Sequence, residues 1–268
     1  MNIFKEFTIV SDHGSAAQLL EGWLVRLGGM PLHHGGYPIH IALNGKQGEG
    51  YRLRADSSGA RLTAQSSRGA MYGVYALLEQ AFGCRFLAPD CVVLPEQPVR
   101  VNPLDVASAP AFSYRELFWR GALDPDFVMA QGLNATRGQL PEALADTPKF
   151  YNYSHSFEEL ISPKEYFDEH PEYFSLVDGA RRGEQSQLCL TNPRVLRIVV
   201  EKVRDWMRSH PDKQIFSVSM NDWYSPCQCP DCAAVDSKEG SQAGSLLHFV
   251  NRVADAIREE FPANYIHT

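Results

Sequence analysis

The chain has 268 residues, enough for one large domain or two smaller ones, with 44% apolar and 21% charged residues as in an ordinary globular protein. Its net charge of -7, with no basic stripe, argues against nucleic-acid phosphate as the main partner. No run of about 18 apolar residues exists, so no membrane-spanning helix is expected.

The first hundred residues read as a small α/β domain. Residues 7–10 are strand-like. Ser15 is placed to cap a helix whose Leu19, Leu20, Trp23, Leu24 and Leu27 recur at helical spacing. Residues 39–43 form a short strand. A hairpin follows, with alternating arms at 51–55 and 61–64 around a turn at Ser57-Ser58-Gly59. A helix over 69–80 places Met71, Val74, Tyr75 and Leu78 on one side. This order predicts one layer of sheet covered by two helices. Residues 88–111 carry Pro89, Pro95, Pro98, Pro103 and Pro110 and read as loop. The expected organisation is therefore a domain over 1–100, a linker over 101–111 and a second domain over 112–268.

From 112 onward, strand and helix alternate. Strands are expected at 112–119, 134–137, 150–155 and 214–220, with a further one opening at Tyr265-Ile266-His267. Helices are expected at 126–131, at 194–209 behind Pro193, and at 245–260. Such alternation makes a parallel sheet, doubly wound or closed as a barrel. Residues 111–268 fall short of the roughly 200 that a (β/α)8 barrel needs. The expected second domain is thus the first half of such a barrel, in a fragment of a longer protein, with a complete open sheet of about five strands as the alternative. The N-terminus has no signal-peptide pattern. On the sequence as it stands the protein is cytoplasmic, and secreted or periplasmic if the N-terminus is incomplete.

The most informative stretch is Ile215-Phe216-Ser217-Val218-Ser219-Met220, which ends in Asn221-Asp222-Trp223. It puts a carboxylate, an amide and an indole at a strand tip, where α/β enzymes keep their chemistry. Asp222 there is a catalytic carboxylate or the cap of an Asx-turn. Trp223 walls a site or packs in a core. His155, in Tyr153-Ser154-His155-Ser156, binds a ligand hydroxyl, sets a carboxylate's pKa or plays a structural part. Arg115, on the expected strand at 112–119, reaches the barrel mouth or pairs internally with a carboxylate. Asp178-Gly179 is a turn signal in what looks like an inserted hairpin, and Glu172 an anchor there. Cys227-x-Cys229-x-x-Cys232 has metal-ligand spacing and needs a fourth ligand to close a tetrahedral zinc site; a local disulfide is the rival. Catalytic zinc is not expected, because no His cluster accompanies the sulfurs. Cys84 and Cys91 are expected to be free and buried, or joined as a small staple.

Five stretches together resemble the bacterial family labelled domain of unknown function 4838, part of which is classed as glycoside hydrolase family 163. They are His170-Pro-Glu-Tyr-Phe-Ser-Leu-Val-Asp-Gly179, Gln187-Leu-Cys-Leu-Thr-Asn-Pro193, Ser217-Val-Ser-Met-Asn-Asp-Trp223, the cysteine cluster and His248-Phe-Val-Asn-Arg-Val-Ala254. Gly50-Tyr51-Arg52-Leu53 through Gly69-x-x-Tyr72-Gly73-x-x-x-Leu77-Leu78 is similar to the N-terminal domain of family 20 hexosaminidases and family 67 α-glucuronidases. Phe112-Ser-Tyr-Arg115 is similar to the first barrel strand of family 20, whose arginine holds sugar hydroxyls.

The resemblance implies a retaining endo-β-N-acetylglucosaminidase or hexosaminidase, acting on glycans that contain N-acetylglucosamine. The substrate's own acetamido group would assist, and no catalytic cofactor would be needed. It implies that Asp222 is general acid or acetamido orienter, that Asn221 binds the acetamido group, and that Arg115, His155 and Trp223 bind sugar. Asn221-Asp222 departs from the Asp-Glu pair of family 20. Cys189, which recurs in the resembling motif, becomes the candidate fourth ligand of a structural zinc with Cys227, Cys229 and Cys232. The alternatives are an α-glucuronidase-like hydrolase, a non-catalytic carbohydrate-binding fragment and a zinc-binding interaction module.

Overall fold

Alternating burial builds the first sheet. The structure, a computed structural model, describes residues 3–135 and 147–268 and divides into two compact units, Met1–Thr147 and Pro148–Thr268. In the first unit β1 (Glu6–Ser11) leads into α1 (Gly14–Arg26), then β2 (Met30–Pro31), β3 (Tyr37–Leu43), β4 (Tyr51–Ala55), β5 (Ala60–Ala64) and α2 (Ser67–Ala76). A π turn at Leu77–Ala81 extends α2, and β6 (Arg85–Ala88), β7 (Cys91–Val93), β8 (Leu104–Ser108) and α3 (Pro125–Ala130) follow. The main sheet runs β2-β1-β3-β5-β4-β8, with β1, β2, β3 and β5 parallel and β4 antiparallel to both neighbours. Leu53, Leu62, Ile39 and Ile41 are buried, whereas Arg52, Arg54 and Arg61 between them are exposed. One face is therefore core, packed with Leu20 and Leu24 of α1 and Val74 and Tyr75 of α2, as the alternation predicts. Gly73 lets α2 sit low on the sheet, since a Cβ there would lie 2.3 Å from Leu62 Cδ1.

The 101–111 segment is not a plain linker. Leu104–Ser108 is the edge strand of the sheet, paired antiparallel with β4. Asp105 bridges Arg52 (2.8 Å) and Arg54 (2.9 Å) across that pairing. Pro103 and Pro110 lie just outside the strand, where a missing N–H costs no ladder bond. Residues 112–119 are likewise no strand. Their backbone is held by a side chain instead: Asn134 Nδ2 donates to Ser113 O (2.7 Å) and its Oδ1 accepts the Arg115 N–H (2.8 Å). Of the strand expected at 134–137, Asn134 and Ala135 are not in a strand and the rest lies outside the described residues. His13, not Ser15, caps α1 through Nδ1 (3.2 Å to Ala16 N). Cys84 is buried but Cys91 is exposed, and both are free thiols.

The second unit runs α4 (Phe157–Leu160), α5 (Pro163–Tyr166), a hairpin of β9 (Leu176–Val177) and β10 (Ala180–Arg181), α6 (Pro193–Ser209), β11 (Ile215–Ser217), α7 (Pro230–Glu239), α8 (Ala243–Ile257) and β12 (Tyr265–His267). The Asn192 side chain caps α6 at Arg194 N (2.9 Å), with Pro193 at the first helical position. Val195, Val199 and Val203 of α6 meet Phe249, Val253 and Ile257 of α8 and Phe216 of β11 in one core. Asp178 and Gly179 both have positive φ (50° and 80°), the geometry of a two-residue hairpin turn.

β11 and β12 pair in parallel, and Phe150 bridges Ile215 on the other side, also parallel. The strand expected at 150–155 pairs only briefly, because side chains take over its ladder. Asn152 Oδ1 accepts the Ser217 N–H (2.8 Å) and Ser156 Oγ accepts the Ser219 N–H (2.9 Å). The second unit thus has a parallel strip of three segments with helices packed on it. It and the mixed sheet of the first unit make the protein a mixed α/β structure.

Candidate active site

The carboxyl end of this strip gathers most of the residues singled out above. Met220 follows β11, and its carbonyl accepts a hydrogen bond from His155 Nδ1 (3.0 Å). A carbonyl only accepts, so Nδ1 is the donor in this bond, and the ring of this exposed residue has no further hydrogen bond among the described residues. His155 has φ 58°, in the left-handed region, where the chain turns from the 150–152 segment into α4.

Asn221 and Asp222 divide the work. The Asn221 amide is committed to the scaffold: Oδ1 accepts the Glu158 N–H (3.1 Å) and Nδ2 donates to Ser186 O (3.0 Å). These two bonds give Asn221 a positioning role and leave one N–H and one lone pair of its amide unused by them. Asp222 is exposed, and no group among the described residues hydrogen-bonds its carboxylate. Trp223 is 48% exposed and Tyr224 89%, so neither packs in the core. Tyr224 is steadied by a 2.8 Å bond to Gln242.

Gln187 fixes the backbone on both sides of Asp222. Its Oε1 accepts the Asn221 N–H (2.9 Å), and its Nε2 donates to Asn221 O (2.9 Å) and Trp223 O (2.5 Å). Gln187 is 1% exposed, so these bonds form away from water. Ser225 Oγ adds a bond to Gln185 O (2.8 Å). Gln187 was no site candidate in the sequence; its one signal was its place at the head of the Gln187-Leu-Cys189 motif. His267 was also missed. It ends β12, with its ring against Phe150 (5.3 Å) and Tyr153 (5.9 Å), and its buried Nδ1 has no hydrogen-bond partner among the described residues.

Arg115 belongs to the first unit and is spent there. Its guanidinium pairs with Glu49 and donates to Tyr72 OH (2.8 Å), Gly132 O (2.8 Å) and Phe112 O (2.6 Å). Glu49 also binds Arg68 Nη1 (2.5 Å). Burial pushes the Glu49 carboxyl up, but the hydrogen bonds and charges of Arg68 and Arg115 outweigh it and hold the group below its usual range. Burial also raises the Tyr72 phenol to about 12. The internal ion pair replaces the expected barrel-strand role, because 112–119 has no ladder to present the side chain. Arg115 still lines a cleft of about 290 Å³ with Tyr51, Tyr72 and Tyr75.

The four cysteines converge. Cys189, Cys227, Cys229 and Cys232 are all buried free thiols, and their sulfurs lie within 4.8 Å of one another. They come from the segment before α6, from the loop after Asp222 and from the first turn of α7, a helix that the sequence reading did not expect. Hydrogen bonds from Cys227 and Cys232 favour the Cys189 thiolate, and Cys227 is pushed up to about 11 chiefly by its bond to Cys189.

The family model described as domain of unknown function (DUF4838) matches residues 86–268, more than half of the chain. The chain belongs to that family. No curated protein matches the sequence. Among solved structures it is similar to a β-N-acetylhexosaminidase from Bacteroides fragilis NCTC 9343, at 14% identity over 99% of this chain and 62% of that one, with a TM-score of 0.41. A Flavobacterium johnsoniae chitobiase matches at 14% identity over 99% and 49%, TM-score 0.45. A Streptomyces plicatus β-hexosaminidase mutant, in complex with GlcNAc, matches at 15% over 99% and 61%, TM-score 0.39. The chain thus spans about half to three-fifths of the length of these structures.

Proposed function

We propose that this member of the DUF4838 family is a glycoside hydrolase acting on glycans that contain N-acetylglucosamine, by a retaining, substrate-assisted reaction. One observation carries the reading. Just past the carboxyl end of parallel strands, an exposed carboxylate stands on a loop clamped by a buried glutamine, next in the chain to an exposed indole and phenol, while an exposed imidazole is bonded to the carbonyl of Met220, two residues before it. Aromatic faces stack on the C–H faces of a pyranose, and the carboxylate and imidazole suit its polar groups. The motif resemblance over 150–268 supplies the sugar class. The parallel strip is read as part of a (β/α)8 barrel.

In this reaction the glycosidic C1–O bond breaks as the acetamido carbonyl oxygen bonds to C1. The leaving oxygen takes a proton, and water then opens the cyclic intermediate with retained configuration. Asp222 is the carboxylate at the reacting centre, and it either gives that proton or holds the acetamido N–H. Trp223 and Tyr224 are sugar platforms, His155 is a hydroxyl partner, and Asn221 is a positioning residue.

The test is incubation with a complex N-glycan, with aryl N-acetylglucosaminides and with a glucuronoxylan oligosaccharide. N-glycan cleavage that falls about 10²-fold or more in Asp222→Asn supports the reading. A loss confined to poor leaving groups assigns Asp222 to proton donation; an equal loss on all substrates assigns it to the acetamido group. Cleavage of glucuronoxylan alone moves the enzyme to the α-glucuronidase type. Sugar binding without cleavage, unchanged in Asp222→Asn, overturns the enzymatic reading.

A further inference from the structure

We infer that Cys189, Cys227, Cys229 and Cys232 hold one zinc ion in a closed tetrahedral site, and that this ion braces the loop carrying Asp222. Geometry comes first. Four sulfurs about 2.3 Å from a central zinc stand about 3.8 Å from each other. Here Cys189 and Cys229 are 3.7 Å apart, and all four sulfurs fall within 4.8 Å of one another. A disulfide needs about 2.05 Å, and two disulfides would need only pairwise approach rather than four thiols meeting at one point.

The surroundings suit thiolate sulfur. The Leu176 N–H points at Cys227 Sγ (3.4 Å), the Arg181 guanidinium lies 3.7 Å from the same sulfur, and Thr191 Oγ1 is 3.2 Å from Cys232 Sγ. Such donors offset the charge of four thiolates around a divalent ion, and they orient the ligands. Cys229 is the N-cap of α7 and Cys232 lies in its first turn, so the helix dipole favours negative sulfur there. On binding, each thiol loses its proton to solvent and no electron moves. With all four positions filled by sulfur, no site is left for water, so the ion is structural.

Its mechanical effect follows from what it ties together. Cys189 lies two residues after Gln187, the residue that clamps Asn221 and Trp223. Cys227 lies four residues after Trp223 and is bound to the hairpin, where Gln228 N donates to Leu176 O (2.7 Å) and Asp178 N donates to Gln228 Oε1 (2.9 Å). The zinc therefore closes the far end of a loop whose near end Gln187 closes.

Metal analysis and zinc-edge X-ray absorption on the whole chain, purified without added metal, decide the matter without any activity assay. The expected result is one zinc per chain, surrounded by four sulfurs at about 2.3 Å. Under native conditions a thiol reagent should then titrate Cys91 and spare the cluster. Less than about half an equivalent of zinc, iron in its place, or a mass showing a disulfide among these cysteines overturns the assignment. For the brace, 1,10-phenanthroline treatment should speed amide exchange at 185–191 and 221–232 and leave residues 37–64 unchanged. Zinc loss without that change overturns the mechanical role. The same measurement on the native chain stands even if Cys232→Ser fails to fold.

Discussion

The two units treat their charged residues in opposite ways. In the first, Arg68 and Arg115 are drawn in and paired with Glu49, with Tyr72 accepting from Arg115 and Asn134 donating to Glu49. In the second, the Asp222 carboxylate stays exposed while the backbone around it is tied by Gln187, Asn221 and Ser225. Charges of the first kind are fold: their geometry is satisfied, and little remains to offer a ligand. Charges of the second kind are offered: the scaffold spends its bonds on fixing the backbone so that the side chain can meet something else.

The largest expected effect breaks the first half of that contrast. Glu49→Ala leaves two largely buried guanidinium groups without this carboxylate and should cost about 3–5 kcal/mol in urea unfolding. The effect is pH-dependent with a definite sign. The folded-state pKa of Glu49 lies below its ordinary 4.5, so its contribution is present above that value and is lost as pH falls through the lowered one. Wild type and Glu49→Ala should therefore converge in stability as the solution is acidified. A difference that persists in acid would show that the carboxylate is not the source.

A smaller effect sharpens the second half. Gln187→Ala leaves the Asn221 N–H without its partner and the Asn221 and Trp223 carbonyls with only their backbone donors, and should cost about 1–3 kcal/mol. If the loop displays a catalytic group, kcat should fall about 10²-fold, because the geometry rather than the chemistry has been lost. Full activity at lowered stability would reduce Gln187 to a packing residue.

Much of this was legible in the sequence, for physical reasons that differ by region. Period-two alternation marked the β4–β5 hairpin, and Pro193 announced α6. The strand tip at Asn221-Asp222-Trp223 was visible because a short apolar run ended in polar groups. The failures share a cause: side chains substituting for backbone. Leu104–Ser108 was hidden between prolines that flank the strand rather than interrupt it. Residues 112–119 alternate like a strand, yet Asn134 takes their backbone bonds and Arg115 finds an acid 66 residues earlier in the chain. The bonds of the Asn221 amide to Glu158 and Ser186 had no sequence signal, because both partners are backbone groups distant in the chain. The cysteines show the reverse. Their spacing marked three candidate ligands together, but Cys189, the fourth sulfur of the cluster, lies across the fold, where only the motif resemblance pointed to it.

The central claim, that sugar meets the second unit at Asp222 rather than the first at Arg115, is tested most directly by titrating N,N′-diacetylchitobiose into isotope-labelled protein and following backbone amide shifts. Saturable shifts are expected at Tyr153, His155 and Asp222 through Tyr224, with Tyr51, Tyr72 and Arg115 unmoved. Shifts confined to the Arg115 cleft, with Asp222 and its neighbours silent, would contradict it.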